Sequence, residues 1–408
     1  MRILNVNKFY YRKGGSETYF FDLARLLEEK KNEVIPFSMN DPKNIESVFE
    51  SSFVPGADYN LREGALKEIQ KAMNVVYSRE ARRKMSRLID KNPVDLVHLH
   101  NISHQLSPSI IREAGKRGLP VVWTLHDYKV VCPTYLLFVN GAVCEKCENG
   151  KFYNVVLRKC NRGSALRSLT NCVEMYLHSV MGTFKSVSFF VSPSRFLMDK
   201  IVEMGVDEKR VVHVPYFLRT EEYEPLYKDE GYFAYVGRLS KEKGIMTLLD
   251  AARRLGKCNL KIVGGGELRD EVLEASRDIP GIELAGHLSG ERLRDVWRKA
   301  SFVVVPSEWY ENLPYSILES FAMGKPVIGS RIGGIPELVV DGESGLLFDP
   351  GNSKELAEKI AFLQERPELR QKMGRNAREK AEKELGADAH YSRLSDIYRK
   401  AIALKKAA

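Results

Sequence analysis

The chain has 408 residues, 44% hydrophobic and 29% charged, an ordinary globular composition that excludes a largely disordered protein and allows two or three domains with their own cores. The formal net charge is +9, and the excess lies early: residues 1–220 hold 33 Lys+Arg against 23 Asp+Glu, the remainder 30 against 31. No apolar run approaches the ~18 residues needed to span a bilayer, and Met1 to Asn7 reads as a strand and not as a signal peptide, so a cytoplasmic protein is expected.

In the first half, Arg2–Asn7, Val94–Leu99, Val121–Leu125, Phe189–Val191 and Val211–Val214 are short apolar runs that predict strands. Glu17–Lys31 carries apolar residues at helical spacing. Arg79, Arg82, Arg83, Lys84, Arg87 and Lys91 crowd one predicted helix. Such a patch suits an anionic membrane surface or an anionic acceptor, and it equally suits a solvated helix face. No nucleic-acid module is present, so no nucleic-acid partner is expected.

Four cysteines cluster between the strand at Val121–Leu125 and the next one: Cys132, Cys144, Cys147 and Cys160. The C-x2-C core with a flanking cysteine on each side has zinc-ligand chemistry, and the polar turns Asn140-Gly141 and Asn149-Gly150 leave few core signals around it. The expectation is an insertion at about 128–165 that a structural zinc could stiffen, with Cys172 as a substitute ligand. Reduced thiols, or a disulfide in an oxidising host, are the alternatives. Cys258 reads as core.

The polar stretch Tyr216–Gly231, with Pro225 and no clean period, predicts the connection between halves. That gives a first domain over 1–220, a second over 221–385 and a terminal helix over 386–408. Strands are predicted at Tyr232–Val236, Leu260–Val263, Ile282–Leu284, Phe302–Val305, Val327–Ile328 and Gly345–Phe348, with a helix over Gly244–Leu255. Strands alternating with helices predict two doubly wound, Rossmann-like α/β domains with parallel sheets. Such domains bind ligands at the carboxyl ends of their strands, here in a cleft that the two would face across.

Three segments of the second half could hold a diphosphate. Gly237-Arg238 and Lys243 follow a strand end, where Arg offers a bidentate fork and Lys a point charge; a solvated basic turn is the alternative. Gly264-Gly265-Gly266 begins a strand-to-helix corner that suits either an anion or tight packing. Glu311 and Glu319, eight residues apart around a predicted helix start, could address one ligand at two depths, and carboxylates suit sugar and ribose hydroxyls. The amides of Leu313 and Tyr315 lie at that helix start.

In this order these pieces resemble the retaining glycosyltransferases of the GT-B fold, specifically glycosyltransferase family 4. The resemblance runs through Gly14-Gly15, the His126-Asp127 pair, VSPSRF, YVGRLSKEKG and the block from Glu311 to Phe348. It implies that Arg238 and Lys243 bind the donor diphosphate, joined by the amides of Leu313 and Tyr315, that Glu319 holds the ribose, and that the backbone near Leu288 meets the base. It places Glu311 and His126 at the transferred sugar as catalytic residues. It also brings the amides of Gly15, at the start of a helix capped by Ser16, to the phosphate.

Two positions depart from the family pattern: Pro314 stands where many relatives have glycine, and Tyr216-Phe217 where an Asn-Gly turn is common. No acidic DxD pair follows a strand, so the transfer step is expected to need no metal. The expected partners are a nucleotide-diphosphate sugar and a carbohydrate or lipid-linked acceptor. The expected role is in lipid-linked or cell-surface polysaccharide synthesis, at the inner face of the cell membrane. A sugar-nucleotide epimerase of the same fold, or a non-catalytic nucleotide-sugar-binding module, is the alternative.

Overall fold

The computed structural model describes residues 1–56 and 64–407. The chain divides into two compact units: Met1–Leu137, Glu145–Val214 and His390–Ala408 form the first, Phe138–Cys144 and Pro215–Ala389 the second. Among the described residues no helix is long and apolar enough to cross a membrane.

The first unit is built on six parallel strands: β1 (Arg2–Val6), β2 (Glu33–Phe37), β3 (Leu96–Leu99), β4 (Val121–Thr124), β7 (Phe189–Ser192) and β8 (Val211–His213). Their order is β2-β1-β3-β4-β7-β8, so the winding reverses between β1 and β3. Ahead of the terminal helix, this unit carries α1 (Gly15–Glu29), α2 (Ala65–Val76), α3 (Arg79–Lys91), α4 (Ser109–Lys116), α5 (Asn154–Leu157), α6 (Ala165–Val180) and α7 (Arg195–Glu203). A two-stranded antiparallel ribbon, β5 (Phe138–Val139) and β6 (Ala142–Val143), turns at Asn140-Gly141. Both turn residues have positive φ, 54° and 78°, as a tight hairpin turn requires.

The strand β2 escapes the sequence reading. Its residues EVIPF begin with an acid and contain Pro36, which breaks an apolar run. The structure accommodates proline because β2 is the edge of the sheet, paired only with β1, where Pro36 lies opposite Asn5.

The second unit repeats the plan with β9 (Phe233–Val236), β10 (Leu260–Val263), β11 (Ile282–Gly286), β12 (Val303–Val305), β13 (Val327–Ser330) and β14 (Gly345–Phe348). Their order, β11-β10-β9-β12-β13-β14, is the dinucleotide-fold winding, and it reverses between β9 and β12. The covering helices are α8 (Ile245–Leu255), α9 (Arg269–Arg277), α10 (Gly290–Lys299), α11 (Tyr315–Ala322), the short α12 (Ile335–Leu338), α13 (Ser353–Gln364) and α14 (Pro367–Glu384). Apolar runs such as Val303–Val305 are buried on both faces, and Phe233 and Phe302 stack at 5.3 Å in the core.

The last helix, α15 (Ala387–Lys406), buries Leu394, Tyr398 and Ala401, and from His390 onward it belongs to the first unit. Tyr398 Oη lies 2.6 Å from His98 Nδ1, and Tyr19 Oη 3.0 Å from His390 Nε2. Asn32 Nδ2 donates to Tyr391 Oη at 3.2 Å.

Candidate functional site

In a doubly wound sheet the helices leave on opposite faces at the point of reversal, and the diverging loops open a crevice there. In the second unit this point lies beyond β9 and β12. A recess is present there, lined by Tyr235, Val236 and Gly237 from β9, by Val304 to Ser307 from β12, and by Lys243, Glu311 and Ser316. Lys243 Nζ lies 2.6 Å from Glu311 Oε1, and Ser307 Oγ donates to the same oxygen at 2.6 Å. The ammonium also stands 5.1 Å from the centre of the Trp309 ring.

Glycines fix this arrangement. Gly244, at φ 66°, follows Lys243 and runs so close to the backbone that an added Cβ would fall 1.8 Å from Pro306 O. Gly333, at φ 60°, is packed on Glu311, where an added Cβ would fall 2.4 Å from the Glu311 carbonyl oxygen, and that carbonyl accepts from Gly334 N at 2.7 Å. The basic turn and the acid are thus each locked to a fixed backbone neighbour.

Glu311 is buried, which by itself would raise its carboxyl group. The Lys243 charge, with hydrogen bonds from Lys243 and Ser307, wins and holds it below the ordinary carboxylate value. The acid is therefore ionised at neutral pH. Arg238 is half-exposed and pairs with Glu242, while its Nε donates to Ser240 Oγ at 3.2 Å. Neither Arg238 nor Glu319 lines the recess; Glu319 is half-buried on α11 three residues past Ser316.

The helix α11 begins at Tyr315, with Pro314 as its N-cap and no side-chain cap, so Leu313 lies one residue before the cap and Tyr315 opens the helix. The Tyr315 hydroxyl donates to Phe217 O at 3.0 Å, which ties the Tyr216-Phe217 segment into this unit. In the Gly264–Gly266 turn, a Cβ at Gly264 would meet Gly237 O at 1.9 Å and one at Gly266 would meet Leu239 O at 2.2 Å. Two of the three glycines are thus required by close packing. Leu288 lies two residues past the end of β11. A second recess, with Leu239, Ile262, Gly264, Arg269, Leu273, Leu284 and Gly286 around it, opens beside the ends of β10 and β11.

The first unit also carries polar groups at its point of reversal. The helix α1 starts at Gly15 itself. Its N-cap is Gly14, with no side-chain cap, and Ser16 is inside the helix. This corrects the expectation that Ser16 caps it, and leaves the first-turn amides without a side-chain acceptor at the cap. His98, in β3, and His100, one residue past its end, are both buried. His100 Nε2 lies 2.9 Å from Asn5 Oδ1, and His100 Nδ1 lies 3.0 Å from His126 Nε2. An amide oxygen only accepts, so Nε2 of His100 carries its proton and Nδ1 accepts from Nε2–H of His126. The chain Asn5, His100, His126 thereby selects the tautomer of His126. The sequence points to His126 alone; His100, His98, Asn5 and Tyr398 join it only through the fold.

Burial depresses these histidines, His98 and His126 to about 3, with His100 shifted the same way and His104 also lowered to about 3. In an unfolded chain each would titrate near 6.5. Between those values the unfolded chain binds protons that the folded one refuses, so stability is full above about pH 6.5 and is lost as pH falls towards 3. Because the rings are coupled to one another, this is one combined loss and not a sum of independent ones. Chemical denaturation between pH 7 and 4 measures it, and a flat profile would contradict the burial of these rings.

The cysteine expectation is corrected. Among the described residues no three His, Cys, Asp or Glu side chains come together as a metal-binding group. Cys147 and Cys172 are instead buried with Phe152, Val155 and Met175, with Cys160 packed against them, and Cys132 lies 3.5 Å from Thr134 Oγ1. Cys144, the fourth predicted ligand, belongs with the β5–β6 ribbon. The spacing that suggested ligands serves a small apolar cluster.

The family model for Glycosyltransferase Family 4 matches residues 13–222, and that for Glycosyl transferases group 1 matches residues 219–380. The chain is 35% identical over 176 residues to an uncharacterized glycosyltransferase of Methanocaldococcus jannaschii, an alignment covering 41% of this chain and 50% of that protein. The chain thus spans half the length of that relative. Among solved structures, sucrose-phosphate synthase from Thermosynechococcus elongatus superposes with a TM-score of 0.75 at 18% identity, covering 99% of each chain. Anabaena HepE, solved with UDP and glucose, superposes with a TM-score of 0.70 at 16% identity, covering 98% of this chain and 100% of that one. These likenesses are of fold, the GT-B fold.

Proposed function

The chain belongs to glycosyltransferase family 4, and from that premise we propose that it is a retaining glycosyltransferase moving a sugar from a nucleoside-diphosphate donor to a carbohydrate or lipid-linked acceptor. The observation that carries this reading is the pairing of Lys243 with the buried, ionised Glu311 in the recess where the second sheet reverses. Departure of the nucleoside diphosphate leaves negative charge on its terminal phosphate. Lys243, Arg238 and the amides of Leu313 and Tyr315 supply fixed positive ends for that charge, so this step calls for no metal. The Glu311 carboxylate suits the positive charge that develops on the sugar ring as the bond to the leaving group lengthens.

Glu319 is assigned to the ribose and the backbone at Leu288 to the base. From the first unit, His126 is assigned to the sugar and the amides of Gly15 to phosphate. Because HepE was solved with UDP, uridine donors are the first to test. The proposed setting is lipid-linked or cell-surface polysaccharide synthesis at the inner face of the membrane.

Screening nucleotide sugars for thermal stabilisation tests the donor site. A true donor at a hundredfold excess over its Kd is expected to stabilise by about 2.7 kcal/mol. No response to any nucleoside diphosphate or its sugars would overturn the reading. Incubation of the protein with donor alone tests the reaction class, since conversion of the donor to an epimer without acceptor would replace transfer by epimerisation.

A further inference from the structure

The helix α6 is apolar on more than its buried side. Inward it packs Cys172 and Met175 into the cluster with Phe152 and Val155, and it also buries the polar Asn171, Glu174 and His178. Each of these three is engaged there. Asn171 accepts from Asn161 at 2.6 Å, Glu174 pairs with Lys129 at 2.7 Å, and His178 lies 3.0 Å from Thr183 Oγ1 and 2.7 Å from Val76 O. Its outward face is apolar. Leu166, Leu169, Val173, Tyr176 and Val180 follow spacings of three and four, which aligns them along one stripe. All five are exposed, Leu166 to 75% and Val180 to 87%. The neighbouring turn extends the surface: Tyr153 N donates to Tyr176 Oη at 3.3 Å, and Leu157, on α5, is 72% exposed. A helix with such an exposed apolar stripe, and with buried polar residues on the opposite side, is fitted to an apolar environment outside the unit.

Charge says which environment. Residues 151–180 hold Lys151, Arg158, Lys159, Arg162 and Arg167 and a single acid, Glu174. That acid is buried against Lys129, so the charge this segment shows to solvent is wholly positive. A second copy of the chain docking on the same surface would bring like charges together. Aliphatic side chains with tyrosines, flanked by Arg and Lys whose stems can lie along apolar surface, match the boundary between headgroups and acyl chains of an anionic bilayer. By contrast, α3, the helix with the densest basic sequence, spends two of its cations internally. Arg82 pairs with Glu113 at 2.7 Å, and Lys84 donates to the carbonyls of Ser51 and Phe53.

We propose that the outward face of α6, with Leu157 beside it, is the surface by which this protein lies on an anionic lipid bilayer. This rests on the membrane setting proposed above and names the surface that serves it.

The test is co-sedimentation of the full chain with vesicles of phosphatidylcholine alone or with 30% phosphatidylglycerol. Two variants are compared: the triple Leu169→Asp, Val173→Asp, Val180→Asp on α6, and the control Arg79→Glu, Arg83→Glu, Arg87→Glu on α3. Thermal melting and stabilisation by a nucleoside diphosphate verify that both fold. The expected result is binding to the anionic vesicles that falls at least tenfold in the α6 triple and stays within about threefold in the α3 control. Binding that the α3 control abolishes and the α6 triple spares would keep the membrane setting and overturn the α6 assignment. No binding of the unaltered chain to anionic vesicles would overturn both. Self-association that the α6 triple removes, in a chain that ignores vesicles, would make the stripe an interface between copies and overturn the proposal as well.

Discussion

Lys243→Ala is expected to lower kcat/KM for sugar transfer by about 100-fold or more, about 2.7 kcal/mol of lost transition-state stabilisation, with the second unit still folded. Two effects combine. The variant lacks a fixed cation for the departing diphosphate, and it leaves the buried Glu311 without the charge that keeps it ionised. With Lys243 present, Glu311 titrates below its ordinary value of 4.5, so the stability contributed by the pair is in place above that value and is lost only as pH falls further. Without Lys243 burial dominates, the carboxyl is driven upward, and the acid limb of the pH–rate profile moves towards neutrality. Steady-state kinetics across pH 4 to 8 read both. Activity within about threefold of the unaltered enzyme, less than ~0.7 kcal/mol, would remove Lys243 from the donor site.

The largest loss of stability is expected from Lys129→Met. Lys129 and Glu174 are almost wholly buried, with side-chain exposures of 2% and 0%. Lys129 Nζ also donates to Pro133 O at 2.8 Å, whereas Glu174 Oε1 has no hydrogen-bond partner among the described residues. Removing the cation strands a carboxylate in the interior, a change that costs about 3–5 kcal/mol. The double variant Lys129→Met, Glu174→Leu removes both charges and is expected to recover most of that loss, because a buried pair replaced by apolar residues is often close to neutral. Urea unfolding followed through the first unit checks it. A double variant as unstable as the single would show that packing, and not the stranded charge, sets the cost.

Much of this architecture was legible because it rests on local chemistry. Eleven of the strands announced themselves as short apolar runs between turns, as a sheet buried on both faces must. The twelfth sheet strand, β2, did not, because Pro36 is tolerable only at an edge and the edge is a property of the assembled sheet. Lys243 and Glu311 were legible as candidates, since each lies in the segment after a strand, yet their direct ion pair joins positions 68 apart and no spacing encodes it. Of the histidine chain only His126 was visible. Its partners come from distant positions: Asn5 arrives from 95 residues before His100, and Tyr398 from 300 residues after His98. The cysteines misled because C-x2-C is a statement about neighbours in sequence. The fold sends Cys144 to the ribbon and lets Cys147 and Cys172 close a hydrophobic cluster with Phe152 and Met175.

That α15 contributes Tyr398 and Leu394 to the first unit has a consequence for the order of assembly. On a ribosome, everything the second unit needs has been translated by Ala389, while the first is still waiting for the segment that follows. The earlier-made sheet must therefore hold an unfilled flank, with His98 and Tyr19 still short of their aromatic and imidazole neighbours, throughout synthesis of the later one. Chains released after truncation at position 389 should accordingly show a protease-resistant later unit and a protease-sensitive earlier one, the reverse of their order of synthesis.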